Sequence, residues 1–405
     1  MPVDHDTLPP DTLLRWRDEF PILDRCTYLI SNSLGAMPRT VYDRMHAYAD
    51  AWATLGVRAW GEGWWDLSSQ VGDKIAPLLG APPGSVLVHQ NASIANSILF
   101  SGMNFNDPAR DKVVICDMDF PSDVYVLRRW LPEHMHLHVV KTHDGITIDT
   151  DELLDAIDER TRLVSLSHVL FKSAYIMPAD AIVNKAHAVG AQVVLNGYHS
   201  VGVIPVDVSA SGVDFYVGGV LKWLCGGPGG VFMYVRPDLL KTLEPRVTGW
   251  FAHENPFAFE LEQPALRDDI YRLMTGTPGI ASLYAIQPGV DIINQVGVEP
   301  IRAKSIRQTS LIIALADRAG YEVVSPRKAA RRGGTVTVNP PHAYEVSREL
   351  LARNIVIDYR QNAGIRIAPH FYNSDDEIYQ VMNTIAQILE SGNWQQHAAG
   401  RSFVT

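Results

Sequence analysis

The chain has 405 residues, of which 46% are hydrophobic and 20% charged, with a formal net charge of −10. This is enough apolar material for more than one large core. The acidic balance argues against nucleic acid and anionic membrane surfaces as partners.

The chain opens acidic and proline-containing, without an apolar signal region. No stretch reaches the ~20 apolar residues needed to cross a bilayer. A soluble, cytoplasmic protein is the expectation. Residues 11–20 follow Pro9-Pro10 with helical spacing, and helices are expected at 39–55 and 65–79. Seven apolar runs follow, at 86–88, 113–115, 137–140, 163–166, 193–195, 215–217 and 230–235. The last reads as a hairpin partner of the 215–217 strand. Most of these runs lack polar alternation, as strands covered on both faces do. Helical segments such as 151–158 and 179–189 lie between them, a βαβ rhythm that predicts a mostly parallel sheet. After a helix at 280–296 comes a smaller α+β unit: helix 299–319, strand 334–338, helix 342–353, strands 356–357 and 365–367, and a closing helix at 374–389. The reading is an α/β chain with three parts. Residues 1–45 form an arm and part of the small domain, 46–290 a large seven-stranded domain, and 291–405 a small C-terminal domain.

Cys26, Cys116 and Cys225 have no metal spacing and cannot form an even disulfide set; no metal is expected. Cys116 and Cys225 read as packed side chains. Arg327-Lys328 and Arg331-Arg332, the local basic cluster, read as a solvated loop.

The chemistry centres on Lys222. A strand-like run leads into it, and Cys225-Gly226-Gly227-Pro228-Gly229-Gly230 follows closely. Lysine forms Schiff bases with carbonyl compounds, and glycines let backbone approach a ligand. Upstream, the strand at 193–195 ends in Asn196-Gly197-Tyr198-His199. Polar groups at a strand's C-terminal end facing a lysine suit a cofactor site in an open α/β sheet. A helix starts within Gln90-Asn91-Ala92-Ser93-Ile94-Ala95-Asn96, and its N-terminus suits a phosphate, although any capped helix shares that pattern. Asp119-Phe120-Pro121-Ser122-Asp123 follows the second run.

With Tyr28-Leu29-Ile30-Ser31-Asn32-Ser33-Leu34-Gly35, Gly249-Trp250-Phe251-Ala252-His253, Thr275-Gly276-Thr277-Pro278 and Gly364-Ile365-Arg366-Ile367-Ala368-Pro369-His370, these segments resemble the pyridoxal-phosphate enzymes of the class V aminotransferase group, and within it kynureninase. The resemblance runs from Tyr28 to about Tyr379. It implies PLP fold type I, pyridoxal 5'-phosphate as cofactor and a small-molecule amino acid as substrate. It also implies a homodimer with shared sites. By resemblance, Lys222 carries the cofactor; Lys172 is the rival lysine. Ala92, Ser93 and Trp250 hold the phosphate with Thr277 of a second subunit. Phe120 stacks on the ring and Asp123 joins the network around the cofactor. Asn196 faces the ring nitrogen and His199 the phenolic oxygen or the phosphate. Arg366 binds the substrate carboxylate as a bidentate fork, with a structural pair to Asp358 as the alternative. Asn32 and Ser33 line the pocket.

Departures from the family shape the functional expectation. Asn196 stands where the family has an aspartate, and a neutral amide cannot stabilise a pyridinium by charge. Leu221 replaces a tyrosine, and Ile98 replaces a histidine tied to aryl recognition. A β-eliminating lyase acting on a cysteine S-conjugate-like or aminoacyl substrate is the first expectation. Sulfur-processing class V relatives, including the lincosamide ones, support it by analogy. The alternatives are an oxidative decarboxylase/deaminase using dioxygen, kynureninase itself, and a non-catalytic homologue.

Overall fold

The computed structural model describes residues 11–262 and 265–398. The acidic, proline-containing start of the arm and the last residues of the 291–405 segment lie outside the described residues. Strand β1 (Thr27–Tyr28) is followed by helices α1 (Val41–Leu55) and α2 (Leu67–Ile75). The large sheet is built from β2 (Val86–His89), β3 (Lys112–Cys116), β4 (His136–Val140), β5 (Thr161–Ser167), β6 (Gln192–Asn196), β7 (Phe215–Gly219) and β8 (Val231–Val235). Helix α3 (Ala92–Gly102) follows β2, and α4 (Pro121–Trp130) follows β3. The strand order is β2-β8-β7-β6-β5-β3-β4. β8 runs antiparallel to both neighbours, and the remaining pairs are parallel. The hairpin expected of residues 215–217 and 230–235 is present, with Phe215 opposite Val235.

The apolar runs work because successive strand residues point to opposite faces. Leu163 packs into one core layer, and its neighbour Val164 packs into the other. Val194 and Val193 divide in the same way. Each such side chain contributes roughly 1.5–3 kcal/mol when buried. β4 departs from the expected two-sided burial: it is the edge strand, and His136 and His138 face outward.

The C-terminal unit has an antiparallel sheet of Asp358–Arg360, Gly364–Ile367, Val336–Asn339 and Glu322–Val323, in that order. Helices Val298–Arg318, Ala343–Ala352 and Asp375–Ser391 accompany it. The arm is tied to this unit, since β1 pairs in parallel with Ile355–Val356.

Three local expectations need correction. The 11–20 segment is a 3-10 helix, Thr12–Glu19, because the Asp11 carboxylate accepts the Leu13 N–H and tightens its first turn. The 356–357 run is split between two sheets, one strand ending at Val356 and the next beginning at Asp358. Arg332 is not solvated but 1% exposed, because the loop carbonyls of Pro326 and Arg327 accept from its guanidinium.

The helix Ile280–Val296 lies against the turn that follows Lys222. A Cβ on Gly289 of that helix would fall 2.3 Å from the Leu224 carbonyl oxygen and 2.5 Å from the Cys225 carbonyl carbon. Replacing a helical glycine with alanine ordinarily stabilises by about 1 kcal/mol. Here the clash is with backbone and wins, so Gly289→Ala should destabilise by about 1–3 kcal/mol. Urea unfolding of the two proteins checks this, and an unchanged or raised midpoint would contradict the packing described.

Candidate active site

Lys222 sits in the turn beyond β7, at the C-terminal end of the sheet, where open α/β sheets bind ligands. The turn is fixed by Cys225 N–H donating to the Lys222 carbonyl at 3.1 Å and Gly226 N–H donating to Val220 at 2.9 Å. Cys225 takes a left-handed φ of 52° and is buried, in agreement with its expected packing role. The Lys222 Nζ lies 2.7 Å from His199 Nε2. It also lies 5.1 Å from the Tyr198 ring centroid and 6.0 Å from that of Phe120. Burial, then the nearby Arg366 charge, lowers the amine's pKa from 10.5 to about 7. Burial and the Lys222 charge hold His199 well below the ordinary histidine range. The pair therefore resists a second positive charge, and both partners are neutral above about pH 7.

A cavity of about 380 Å³ opens over this amine. Ala92, Ser93, Phe120, Asp123, Asn196 and His199 line it with Lys222, so seven of the expected site residues share one space. Asn91 caps α3, its side chain accepting the Ile94 N–H at 3.1 Å. This leaves the helix's first turn, including exposed Ser93, facing the cavity with N–H groups ahead of the first intrahelical bonds. Phe120 is the N-cap of α4, is 45% exposed and meets Phe171 edge-on at 5.3 Å. A flat apolar ring has a face to rest against there. The donor set fits a phosphorylated pyridoxal-type aldehyde: a helix N-terminus for the phosphate, an aromatic face for the ring and a neutral amine for the carbonyl.

Asp123 is 8% exposed and accepts hydrogen bonds from Asn96 Nδ2 at 2.8 Å and Asn196 Nδ2 at 2.5 Å. Burial pushes its carboxyl up to about 6. The Asn196 carbonyl oxygen accepts the Tyr198 N–H at 2.9 Å, which fixes the orientation of that amide.

Other expected residues are placed differently. Arg366 is 2% exposed; its Nε donates to Asp358 Oδ1 at 2.7 Å, its Nη2 to Asp358 Oδ2, and its Nη1 to the Phe171 carbonyl at 2.7 Å. The structural pair with Asp358 is thus present, because the strands Asp358–Arg360 and Gly364–Ile367 set the two residues opposite each other. Trp250 does not line the cavity; its indole N–H donates to the Pro256 carbonyl within a cluster containing Trp65, Phe257 and Phe259. Thr277 is exposed and also outside this lining. Asn32 and Ser33 do not line it either. Their turn is nevertheless tied to the lysine segment by Gly35 N–H donating to Leu221 O at 2.7 Å. Asn32 is fully buried with both side-chain polar atoms unpartnered. Ile98, whose position was expected to bear on aryl recognition, faces the core between α3 and the sheet. Lys172 lies outside the cavity lining, its Nζ 5.7 Å from the Phe171 ring centroid.

Tyr198, Asn96 and Ser167 were assigned no role from sequence. Tyr198 lines the cavity, and the backbone at Ala92 hydrogen-bonds its hydroxyl. A Cβ on Gly219 would sit 2.1 Å from its ring, so the glycine ending β7 makes room for it. An aromatic between Asn196 and His199, followed by a glycine at a strand end, was the available signal.

The profile of the family described as aminotransferase class-V matches residues 27–377. Kynureninase of Pseudomonas fluorescens is 32% identical over 95% of this chain and 94% of its own. That of Geobacillus thermodenitrificans is 29% identical over 97% and 95%. Among solved structures, a cysteine desulfurase from Thermococcus onnurineus superposes with a TM-score of 0.84 at 20% identity, covering 93% of this chain and 98% of that one. The cystine C–S lyase C-DES gives 0.80 at 18%, covering 91% and 99%. These two share the fold, with its large mostly parallel sheet and small α+β unit. The chain belongs to the class V aminotransferase family.

Proposed function

We propose that this chain is a pyridoxal 5'-phosphate enzyme that takes an L-α-amino acid and cleaves it by β-elimination at a C–S or C–C bond. A cysteine S-conjugate-like or aminoacyl substrate suits it. The observation that carries this reading is the Lys222–His199 contact at 2.7 Å, in a cavity where Leu221 provides an aliphatic wall. Kynureninases place a tyrosine there for proton transfer during ketone hydrolysis. An elimination has no ketone to hydrate, and a lysine that removes the α-proton suffices to start it.

When bound, the cofactor supplies an electron sink for charge developing at Cα. The chain's own residues do the rest. Lys222 holds the cofactor and then carries the α-proton on Nζ, and His199 Nε2 orients that nitrogen. Ala92 and Ser93 face the phosphate from the α3 N-terminus, and Phe120 flanks the ring. Arg366, fixed by Asp358, is the receptor for the α-carboxylate. A homodimer completes the phosphate site through the partner subunit's Thr277. The solved neighbours support the chemistry: one is a C–S lyase with cysteine persulfide as product, and a variant of it holds glycine covalently linked to PLP.

A second reading, kynurenine hydrolysis, is favoured by Tyr198, whose hydroxyl lies in the same cavity. Turnover decides between the two. Cysteine S-conjugates should give pyruvate and thiol without oxygen uptake. Anthranilate from kynurenine would establish the second reading instead, and oxygen consumption with carbon dioxide release would establish an oxidative enzyme.

The lowered Lys222 pKa has a direct consequence. An amine with a pKa of about 7 is neutral, and nucleophilic, from about pH 7 upward. The rate at which apoprotein develops the pyridoxal-phosphate chromophore should rise through pH 7 and then level off. An ordinary lysine would keep gaining rate up to its usual 10.5. Stopped-flow absorbance across pH 6–10 measures this, and Lys222→Ala should form no stable chromophore.

A further inference from the structure

The residue that ends β6 is neutral: Asn196 has no charge to offer a cofactor ring nitrogen. Its amide is also already committed. One N–H goes to Asp123 at 2.5 Å, and the carbonyl takes the Tyr198 N–H at 2.9 Å. One amide N–H and one carbonyl lone pair remain, neutral groups that offer a protonated ring no countercharge.

Asp123 has the opposite profile. It is the carboxylate among the described residues lining the cavity, on α4 and two strands away from β6 in the sheet order. Its hydrogen-bond partners, Asn96 and Asn196, are neutral amides, one on each oxygen. Each oxygen keeps a further lone pair. A buried carboxylate held by two uncharged donors lacks the cation that such a group ordinarily has. That cation is expected from a ligand entering the cavity, and a heteroaromatic N–H is the cationic group of the cofactor proposed above.

We infer that Asp123 has taken over the charge role lost at Asn196, pairing with the protonated ring nitrogen of the cofactor while Asn196 and Asn96 aim its carboxylate. With the strand acid absent, the helix acid alone supplies the charge, and the ring stays an electron sink. This rests on the cofactor reading above. It also counts against an electron-rich ring of the kind that an oxidative enzyme would use.

The test uses holoenzyme loaded with pyridoxal phosphate carrying nitrogen-15 in the ring. The nitrogen-15 shift of the parent should report a protonated ring nitrogen. Asp123→Asn should move it to the unprotonated position, and the double swap Asp123→Asn/Asn196→Asp should restore it. An independent reading compares the affinity of the parent for pyridoxal phosphate and for the deaza analogue, whose ring has carbon in place of nitrogen. The parent should bind the analogue about ten-fold more weakly, because the carboxylate is left buried without a partner. An unprotonated nitrogen in the parent, a shift unmoved by Asp123→Asn, or equal affinity for the two cofactors would each overturn the inference while leaving the cofactor assignment intact. A parent that takes up no cofactor on Lys222 would overturn both.

Discussion

Everything in this site depends on how strongly the surroundings of one partly covered amine disfavour its charge. The Lys222 pKa falls to about 7 because burial penalises the charged form. Several elements produce that burial together. β7 delivers the lysine into a turn closed by Cys225 and Gly226. The helix Ile280–Val296 supports the turn from behind through Gly289. The Tyr198 and Phe120 rings lie 5.1 and 6.0 Å from the amine. His199, also buried, accepts or donates one hydrogen bond without adding a charge. Loosening any of these would let water in and return the lysine to its ordinary, protonated state.

Around this neutral centre the fixed charges are arranged in two groups. On one side, Arg366 and Arg360 share the Asp358 carboxylate, with Arg360 Nη2 at 3.0 Å from it. Two guanidiniums on one carboxylate leave an excess positive charge, suited to an anionic substrate group. On the other side, Asp123 is an acid with only amides as hydrogen-bond partners. A zwitterionic amino acid and a cationic ring would meet complementary charge at each end. This separation is a stronger argument for amino-acid chemistry than any single residue.

Much of this was legible in the chain. The seven apolar runs gave the sheet because buried strands carry no polar alternation to confuse the pattern. Lys222 stood out because a lysine among Val220, Leu221, Trp223 and Leu224 is out of place on a surface. What could not be read was contact across the sheet. Asp123 and Asn196 are 73 residues apart and meet only because β3 and β6 lie on either side of β5 in the sheet. The same holds for Arg366 and Asp358, whose pairing follows from a two-strand register that a split strand concealed. Trp250 turned away from the cavity for a local reason, the Pro256 carbonyl six residues on. Ile98 faces the core because helical phase within α3 points it there.

The most direct test of the central claim is to identify the amine that carries the cofactor. Protein incubated with pyridoxal 5'-phosphate would be reduced with borohydride, digested and analysed by mass spectrometry. The pyridoxyl mass should appear on the peptide containing Lys222 and on no other. Its appearance on the Lys172 peptide, or its absence from both, would contradict the account built on Lys222.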